Sequence, residues 1–494
     1  MLTTTDRLPE ALYTAEEVRA LDAAIINHHG VPGIQLMARA SRALFSALES
    51  HWADCRELHI FCGKGNNAGD GYLLAALAKE RGYTVNVWVV GARPERGDAL
   101  LAFQRAEAAG VVPTEWQGEQ PASGVVVDAL LGTGLQGDVR PRFADAIHAI
   151  NSANLPVLAV DIPSGLCADT GCALGDAVRA DLTVSFIGLK RGLFTADAKA
   201  HCGDILFSDL QAPAAVYSEL PGRVQRLQLS REMESLPPRQ RIAHKGHFGH
   251  VLVIGGEHGM GGAAMLAVSA AARSGAGLLS CATRPEHIAG LLAARPEVMV
   301  RAVETPEQLA PLLEKATVLS IGPGLGQGEW GRQLLARALP AAIPKVIDAD
   351  ALNLLAKNAC GFGEGALILT PHPGEAARLL QTSTAEIHRD RFAAAAALRE
   401  RYGATVVLKG AGTVIADELG LAVCCDGNPG MASGGMGDVL SGILAALLAQ
   451  GLSAARAARL GVCAHAVAAD RAAARGERGI VASDVIDELR AVLN

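Results

Sequence analysis

The chain has 494 residues, half of them hydrophobic and only 4% aromatic, with 44 basic and 51 acidic residues and a net charge of −7 at pH 7. No block of Lys and Arg suggests a nucleic-acid binder, and no run of about 18 apolar residues predicts a membrane span. Acidic residues occupy the start, where a signal peptide needs a basic and then an apolar segment, and the ten scattered cysteines lack a C-x-x-C pair. We therefore expect a cytoplasmic protein without nucleic-acid or membrane partners, with two or three domains of roughly 150 residues each.

Short β-branched segments alternate with helical patterns in the first half of the chain. Two predicted helices, at 15–28 and 34–50, come first, and further helices are predicted at 69–81 and 97–109. This alternation is typical of βαβ units, so we expect an α/β fold with a mainly parallel sheet covered by helices. The predicted strands are 57–62, 84–90, 125–130, 155–165 and 181–187.

A seam is predicted between about 211 and 245, where Pro237-Pro238 and scattered charges interrupt the pattern. We assign residues 1–215 to a first domain, 216–240 to a linker and 241–494 to a second domain. Alternation resumes beyond the seam and ends in long Ala/Leu-rich helices, so a second α/β unit is expected. Its predicted strand segments are 250–256, 320–326, 344–352, 365–375 and 404–413.

Oxygen-bearing side chains follow three predicted strands of the first unit, and parallel strand ends meet at one edge of a sheet. Such oxygens suit an alkali or alkaline-earth cation beside a polar substrate; the alternative is that they only cap the following helices. We expect solvated surface positions for Lys64 and Lys190, with a helper role as the alternative. The oxygen-bearing residues are Asn66, Asn67, Asp70, Asp128, Asp161 and Ser164.

The stretch NPGMASGGMGDVLSG, residues 428–442, contains five glycines and one acid before an apolar helical run. Consecutive amides in such a turn form an anion nest, and a helix predicted to start after Asp438 adds positive potential, so phosphate binding needs no lysine. A carboxylate there repels a bound anion but suits a base that deprotonates an attacking hydroxyl. The alternative is that Asp438 is a helix N-cap. No G-x-x-x-x-G-K-[ST] sequence is present, which excludes a P-loop.

Five segments in order, GGEHGMGGAAMLA (255–267), GPGLG (322–326), TPHPGE (370–375), LKGAGT (408–413) and the stretch above, resemble the dehydratase domain of the NAD(P)H-hydrate repair enzymes, a branch of the ribokinase-like fold. The resemblance covers about residues 240–494. It implies ADP and Mg²⁺, phosphorylation of the hydroxyl on the hydrated nicotinamide ring, and elimination that returns NAD(P)H with AMP and phosphate.

By this resemblance Asp438 is the catalytic base, and the amides of Gly434 to Gly437 stabilise the transferring phosphoryl group. The side chain of Met436 must then point away from the nest. The implied nucleotide-binding residues are Lys409, Gly410, Ala411, Gly412, Thr413 and Gly437, and those for the hydrated cofactor are Ala263, Gly324, His372 and Asp438.

In the first unit, GNNAGDG (65–71), DALLGTGLQGD (128–138) and DIPSGL (161–166) resemble the epimerase domain of the same repair system, over about residues 10–215. The family has Gly where this chain has Ala68. The resemblance implies a Rossmann-like three-layer α/β unit, a potassium ion held by Asn67, Asp128 and Ser164, and Asp161 as the candidate acid or base. The implied substrate-binding residues are Asn66, Asn67, Ala68, Gly69, Asp70, Gly132, Thr133, Gly134, Leu135, Gln136, Gly137, Asp138 and Asp161.

The sequence leaves three functional hypotheses. They are a bifunctional epimerase and ADP-dependent dehydratase for hydrated NADH and NADPH, a ribokinase-like kinase for a vitamin or sugar, and a nucleotide-sensing scaffold. The kinase leaves the GNNAGDG domain without a purpose, and a scaffold gains nothing from Asp438. His244, His247 and His250 suggest zinc, but glycines between them favour a turn instead. A homo-oligomer is also expected.

Overall fold

The computed structural model describes residues 2–3, 7–357 and 361–494 of the chain. The chain divides into two compact units, residues 1–225 and 226–494, with the division inside the segment predicted as a linker. That segment carries short elements of its own. In the part of the chain that the structure describes, no helix combines the length and apolarity needed to cross a bilayer.

The first unit alternates strands and helices, as its sequence predicts. The strands are β1 (Ala11–Tyr13), β2 (Glu57–Cys62), β3 (Thr84–Val89), β4 (Thr114–Glu115), β5 (Val125–Ala129), β6 (Val157–Val160), β7 (Leu182–Phe186), β8 (Leu189–Lys190), β9 (Asp204–Ser208) and β10 (Val224–Arg226). The helices are α1 (Ala15–Asn27), α2 (Gly33–His51), α3 (Asn66–Glu80), α4 (Gly97–Ala108), α5 (Pro141–Ser152) and α6 (Ala214–Glu219).

Seven of these strands form a wholly parallel sheet in the order β4-β3-β2-β5-β6-β7-β9. Alternate residues of β2 enter different cores: Ile60 packs with α2 and α3, whereas Phe61 packs with α5. Helices therefore cover both faces, which confirms the predicted α/β class. The chain leaves β2 and β5 in opposite directions across the sheet, so the switch point at which open α/β sheets bind ligands lies between them.

The second unit has nine strands and twelve α-helices among its described residues. The strands are β11 (His250–Ile254), β12 (Leu278–Thr283), β13 (Met299–Ala302), β14 (Val318–Ile321), β15 (Lys345–Ile347), β16 (Leu367–Leu369), β17 (Thr405–Leu408), β18 (Thr413–Asp417) and β19 (Gly420–Cys424). The helices are α7 (Leu229–Glu232), α8 (Gly261–Arg273), α9 (Ile288–Ala294), α10 (Ala310–Leu313), α11 (Glu329–Ala338), α12 (Ala349–Lys357), α13 (Pro373–Leu380), α14 (Thr384–Arg389), α15 (Arg391–Tyr402), α16 (Met436–Ala449), α17 (Ala454–Ala472) and α18 (Ala482–Val492).

The sheet of this unit is parallel from β13 to β17 in the order β13-β12-β11-β14-β15-β16-β17, and β18 and β19 extend it antiparallel. Its switch point lies between β11 and β14. The loops after these strands carry the GGEHGMGG and GPGLG sequences. The two motifs are therefore neighbours although they are about 60 residues apart in the sequence.

Helix α16 packs closely on α8 because Gly442 has no side chain. A methyl group built on Gly442 would lie 2.1 Å from the Ala267 carbonyl oxygen and 2.9 Å from the Ala270 Cβ. Both helices are rich in small buried residues and belong to the core of the second unit. This contact sets the position of α16, whose first turn carries Asp438.

Gly442→Ala is expected to destabilise the second unit by about 1–3 kcal/mol, because the added methyl overpacks the contact between α8 and α16. Urea unfolding followed by circular dichroism measures the change. Gly290→Ala in α9, where no atom lies within 4 Å of the new methyl, is the matched control and is expected to stabilise by about 0.5–1 kcal/mol. Equal effects of the two substitutions would contradict the packing account.

Candidate active sites

A cavity of about 680 Å³ in the first unit is lined by the segments that follow β2, β5 and β6, together with α1 and α2. The predicted residues that line it are Asn66, Asn67, Asp70, Gly132, Thr133, Gly134, Leu135, Gln136, Asp138 and Asp161. Ala68 and Gly69 are buried behind the wall, and the Ala68 methyl packs into the core, away from the cavity. Gly137 is exposed and left-handed at φ 68°.

Asp161 holds an ion pair with Lys190 at the base of this cavity. Asp161 has φ 67°, a conformation that a non-glycine residue adopts at a cost and that is frequent at functional sites. Its Oδ1 accepts from the Phe186 amide at 3.0 Å and from the Lys190 ammonium. The expectation of a surface position is wrong for Lys190, which is fully buried, whereas Lys64 is exposed.

Two further carboxyl groups, Asp22 on α1 and Asp70 on α3, line the same cavity. Burial raises the pKa of Asp22 to about 6, and the attraction of Lys190 only partly opposes this. Burial, the Asp161 charge and the Asp22 charge together raise the pKa of Asp70 well above its ordinary value. A single lysine therefore faces three carboxyl groups. This favours the protonated forms of Asp22 and Asp70 beside the pair of Asp161 and Lys190.

The residues expected to hold potassium form one oxygen cluster that runs from Asn67 in the cavity wall to buried Asp128 and Ser164. Asp128 is fully buried and accepts from the Ser164 hydroxyl at 2.6 Å and the Ser164 amide at 2.7 Å. Burial raises the pKa of Asp128 to about 6. The Asn67 amide donates to the Leu131 carbonyl, whose oxygen also accepts from Ser164. A carboxylate among neutral oxygens is a donor set that fits a hard cation of low charge.

In the second unit, Asp438 lies inside the first turn of α16, which begins at Met436 with Gly435 as its N-cap. The predicted start after Asp438 is therefore wrong, and so is the alternative that Asp438 is the N-cap. Gly435 has φ 90° and makes no side-chain cap, so the first-turn amides keep no side-chain acceptor from the cap residue. Met436 is buried in the core, away from these amides, as expected.

Burial raises the pKa of Asp438 to about 7, helped by the charges of Asp348 and Asp350 and opposed by Lys409. The Lys409 ammonium donates to Asp348 Oδ1 at 2.7 Å and lies 3.8 Å from Glu375 Oε2. Burial alone would lower the pKa of Lys409, but these two carboxylates raise it. Asp438 is thus half ionised near neutral pH, as a base should be. It lies in the first turn of α16, where a helix N-terminus attracts anions, and beside the Lys409 ammonium that Asp348 holds.

Buried Arg391 braces the LKGAGT turn by donating to the carbonyl oxygens of Leu408, Lys409 and Gly412. Gly410 and Gly412 have positive φ, and Thr413 donates to the Gly410 carbonyl at 3.1 Å. Gly437 adjoins the turn, since a methyl built on it would lie 3.3 Å from the Lys409 Nζ. Lys409, Gly410, Gly412, Thr413 and Gly437 therefore lie near one another, with Ala411 in the same turn.

The residues predicted to contact the hydrated cofactor include Ala263, Gly324 and His372. Gly324 has φ 58°, and a methyl on it would lie 3.1 Å from the Ala263 Cβ, so these two residues adjoin. His372 caps α13, its Nδ1 accepting from the Gly374 amide at 2.9 Å. Burial and the Lys409 charge lower the pKa of His372, so the ring is neutral with its proton on Nε2.

The three histidines near residue 247 have other contacts. The His244 and His247 rings stack with centroids 3.8 Å apart. His250 contacts the Ser280 hydroxyl through Nε2 and the Lys315 carbonyl through Nδ1. Among the described residues no group of three or more His, Cys, Asp or Glu side chains is arranged to hold a metal ion.

Comparison with known proteins covers both units. A family model described as NAD(P)H-hydrate dehydratase matches residues 251–491, and one described as YjeF-related protein N-terminus matches residues 33–192. The chain is 47% identical over 492 residues to the bifunctional NAD(P)H-hydrate repair enzyme of Coxiella burnetii, covering 98% of this chain and 99% of that protein. The chain belongs to the family of bifunctional NAD(P)H-hydrate repair enzymes.

Two solved structures resemble part of this family member. The ADP/ATP-dependent NAD(P)H-hydrate dehydratase of Bacillus subtilis, co-crystallised with ATP and Mg²⁺, is 32% identical with a TM-score of 0.51, covering 54% of this chain and 96% of that one. A ribokinase-like superfamily protein of Enterococcus faecalis is 30% identical with a TM-score of 0.51, covering 54% and 94%. The predicted ribokinase-like fold is confirmed.

Asp22→Asn is expected to stabilise the first unit by up to about 3 kcal/mol at pH 8. Because the folded pKa of Asp22 is about 6 against 3.8 in the unfolded chain, the folded state binds more protons between these values and loses stability as pH rises through them. Below about pH 4 the advantage is expected to vanish. Thermal unfolding at both pH values measures it.

Asp145→Asn, at an exposed position of α5, is the control for Asp22→Asn and is expected to change stability by less than about 0.5 kcal/mol at either pH. A stabilisation by Asp22→Asn that persists undiminished at pH 4 would contradict the titration account.

Proposed function

We propose that this chain repairs hydrated NADH and NADPH: the first unit interconverts the R and S hydrates, and the second dehydrates the S form with ADP. The main support for the second activity is the position of Asp438 in the first turn of α16 together with its pKa of about 7, which suits a base. The B. subtilis dehydratase, which was co-crystallised with ATP and Mg²⁺, supports nucleotide use. The two activities are assigned to residues 1–215 and 241–494, with residues 216–240 as the linker.

In the second unit, Asp438 takes the proton of the ring hydroxyl, whose oxygen attacks the β-phosphorus of ADP and displaces AMP. The amides of the first turn of α16 and the Lys409 ammonium offset the charge on the transferring group. Phosphate then leaves as the ring nitrogen donates its lone pair, and loss of a neighbouring ring proton restores the double bond. The nucleotide would lie against residues 409–413, and the hydrated ring against Ala263, Gly324 and His372.

In the first unit, the hydroxyl-bearing carbon loses its hydroxyl as water and regains water on the other face of the ring. Asp161 is the group proposed to transfer the proton in both directions: it passes a proton from the protonated carboxyl groups of Asp22 and Asp70 to the leaving hydroxyl and takes one back from the water that adds, while Lys190 holds its carboxylate. The glycine-rich wall after β5 and the polar loop after β2 leave a cavity of about 680 Å³ for the hydrated cofactor.

Two ions belong to this proposal. Potassium would be held by Asn67, Asp128 and Ser164, where it neutralises a buried carboxylate and stiffens the two loops that meet there. Mg²⁺ would arrive with ADP and offset phosphate charge. We also propose a cytoplasmic homo-oligomer; the scattered spacing of the cysteines, without a C-x-x-C pair, agrees with a reducing compartment. A kinase for a vitamin or sugar is not favoured, since the family match spans the whole chain.

Asp438→Asn is expected to abolish NADH recovery from hydrated NADH with ADP and Mg²⁺, a loss of at least about 1,000-fold in kcat, because the hydroxyl loses its base. Absorbance in the reduced-nicotinamide band measures recovery, and chromatography measures AMP. Exposed Asp487→Asn on α18 is the control and is expected to keep the wild-type rate. A wild-type chain that phosphorylates a vitamin or sugar and recovers no NADH would replace the proposal with the kinase.

The dehydratase rate is expected to rise with pH through about 7. Because Asp438 acts only when ionised and its pKa is about 7, kcat/KM should fall about tenfold per pH unit below that value and level off above it. Initial rates in buffers from pH 5 to 9 measure the profile. An acid limb at about pH 4, the ordinary range of an aspartate, would be inconsistent with Asp438 as the buried base.

A further inference from the structure

Asp348 connects three separate elements of the second unit. It follows β15, and its Oδ1 accepts from the Lys409 ammonium after β17 at 2.7 Å. Its Oδ2 accepts from the Ser441 hydroxyl of α16 at 2.6 Å. With both oxygens engaged and only 1% of the residue exposed, the carboxylate has one orientation.

The first turn of α16 lies directly over this pair. A methyl on Gly437 would lie 3.6 Å from Asp348 Oδ2 and 3.3 Å from Lys409 Nζ. Burial alone would raise the pKa of Asp348, but Lys409 and the hydrogen bonds hold it below its ordinary value, so the carboxylate is ionised. Asp348 is thus a buried anion, and both it and the Lys409 ammonium that it holds adjoin the turn that carries Asp438.

We propose that Asp348 is a positioning residue for the dehydratase: by holding Lys409 and Ser441 at once, it fixes the ammonium of Lys409 against the first turn of α16, where the phosphoryl group is transferred. This inference rests on the proposed function of the second unit. Asp348 acts through Lys409 and Ser441 and does not itself contact a substrate. Lys409 alone, on a four-carbon flexible chain, would not keep one position.

The distinction matters because a small displacement of a charge from its reaction geometry reduces the rate more than it reduces binding. Asp348→Asn keeps the shape of the side chain and can still accept from Ser441, but it no longer attracts Lys409. The hydrated cofactor is expected to contact Ala263, Gly324, His372 and Asp438. Among the described residues, the Asp348 carboxylate accepts hydrogen bonds from Lys409 and Ser441 and from none of these four. We therefore expect a loss in kcat with little change in KM for the hydrated cofactor.

The test measures dehydratase kinetics of the full chain for the wild type, Asp348→Asn, Lys409→Met and the double variant, with ADP and Mg²⁺. Asp348→Asn is expected to lower kcat about 100-fold and change KM for the hydrate less than threefold. In the Lys409→Met background the same substitution should lower kcat less than threefold, because its partner is gone. The double variant removes both charges of this pair, so neither is left in the fold without the other.

Two further readouts separate positioning from a purely structural role. The epimerase rate of each variant chain should stay within twofold of the wild type. The acid limb of the dehydratase profile should move below pH 7 in Asp348→Asn, because the carboxylate that opposes ionisation of Asp438 is removed and the lysine is released.

The proposal is overturned if kcat of Asp348→Asn stays within threefold of the wild type, if the two single effects multiply in the double variant, or if the epimerase falls together with the dehydratase. An unchanged pH limb would also overturn it. Failure of the proposed function has a different signature, since the wild type itself would then recover no NADH.

Discussion

An ion pair between a lysine and a carboxylate, in which one of the two partners is fully buried, is the interaction on which both sites depend. In the first unit Lys190 holds Asp161 at the base of the cavity, and in the second Lys409 is held by Asp348. An unpaired charge in such positions would cost several kcal/mol, so each pair must form for its site to exist in the folded chain. Each lysine also faces more than one carboxyl group, which leaves the surplus acids short of cation.

Because the carboxyl groups outnumber the lysines in each site, some of them have raised pKa values, and this gives the sites their acid–base character. Asp22, Asp70, Glu375 and Asp438 have raised pKa values because burial outweighs the attraction of the single lysine nearby. A carboxyl group that titrates near neutral pH can both accept and return a proton at the pH of a cell. Stability is lost in exchange, since ionising these groups in the fold is unfavourable.

Much of the fold, and the loops at which the two sites lie, could be predicted from the sequence. The periods of the apolar residues gave five strands and four helices of the first unit to within a few residues, because buried parallel strands are short β-branched runs between turn residues. The glycine-rich motifs gave the loops at both switch points. The patterns missed helix α5 and several strands, among them β9, β12, β13, β18 and β19. Of these, β9 and β13 are edge strands, and β13 is mostly exposed, so its apolar pattern is weak.

The partners of the site residues could not be predicted. Nothing in VIDADAL marks Asp348 as the residue that holds Lys409 some 60 positions later, and Lys190 resembles a surface lysine until the fold buries it. Arg391, which donates to three carbonyl oxygens of the LKGAGT turn, also lies in an ordinary helix pattern. The helix α16 starts three residues earlier than predicted, since Gly435 in the left-handed conformation ends the turn before the acid is reached. Long-range contacts decide the first three cases, and the backbone conformation of Gly435 decides the fourth.

The central claim is that two separate sites on one chain carry out successive reactions on the same released substrate. Its most direct test supplies mixed R and S hydrates of NADH, with ADP and Mg²⁺, to Asp438→Asn, to Asp161→Asn and to an equimolar mixture of the two variants. The account predicts no recovery of NADH by the first, recovery that stops when the S form is used by the second, and complete recovery by the mixture. A mixture that stalls at the same point as Asp161→Asn alone would contradict it.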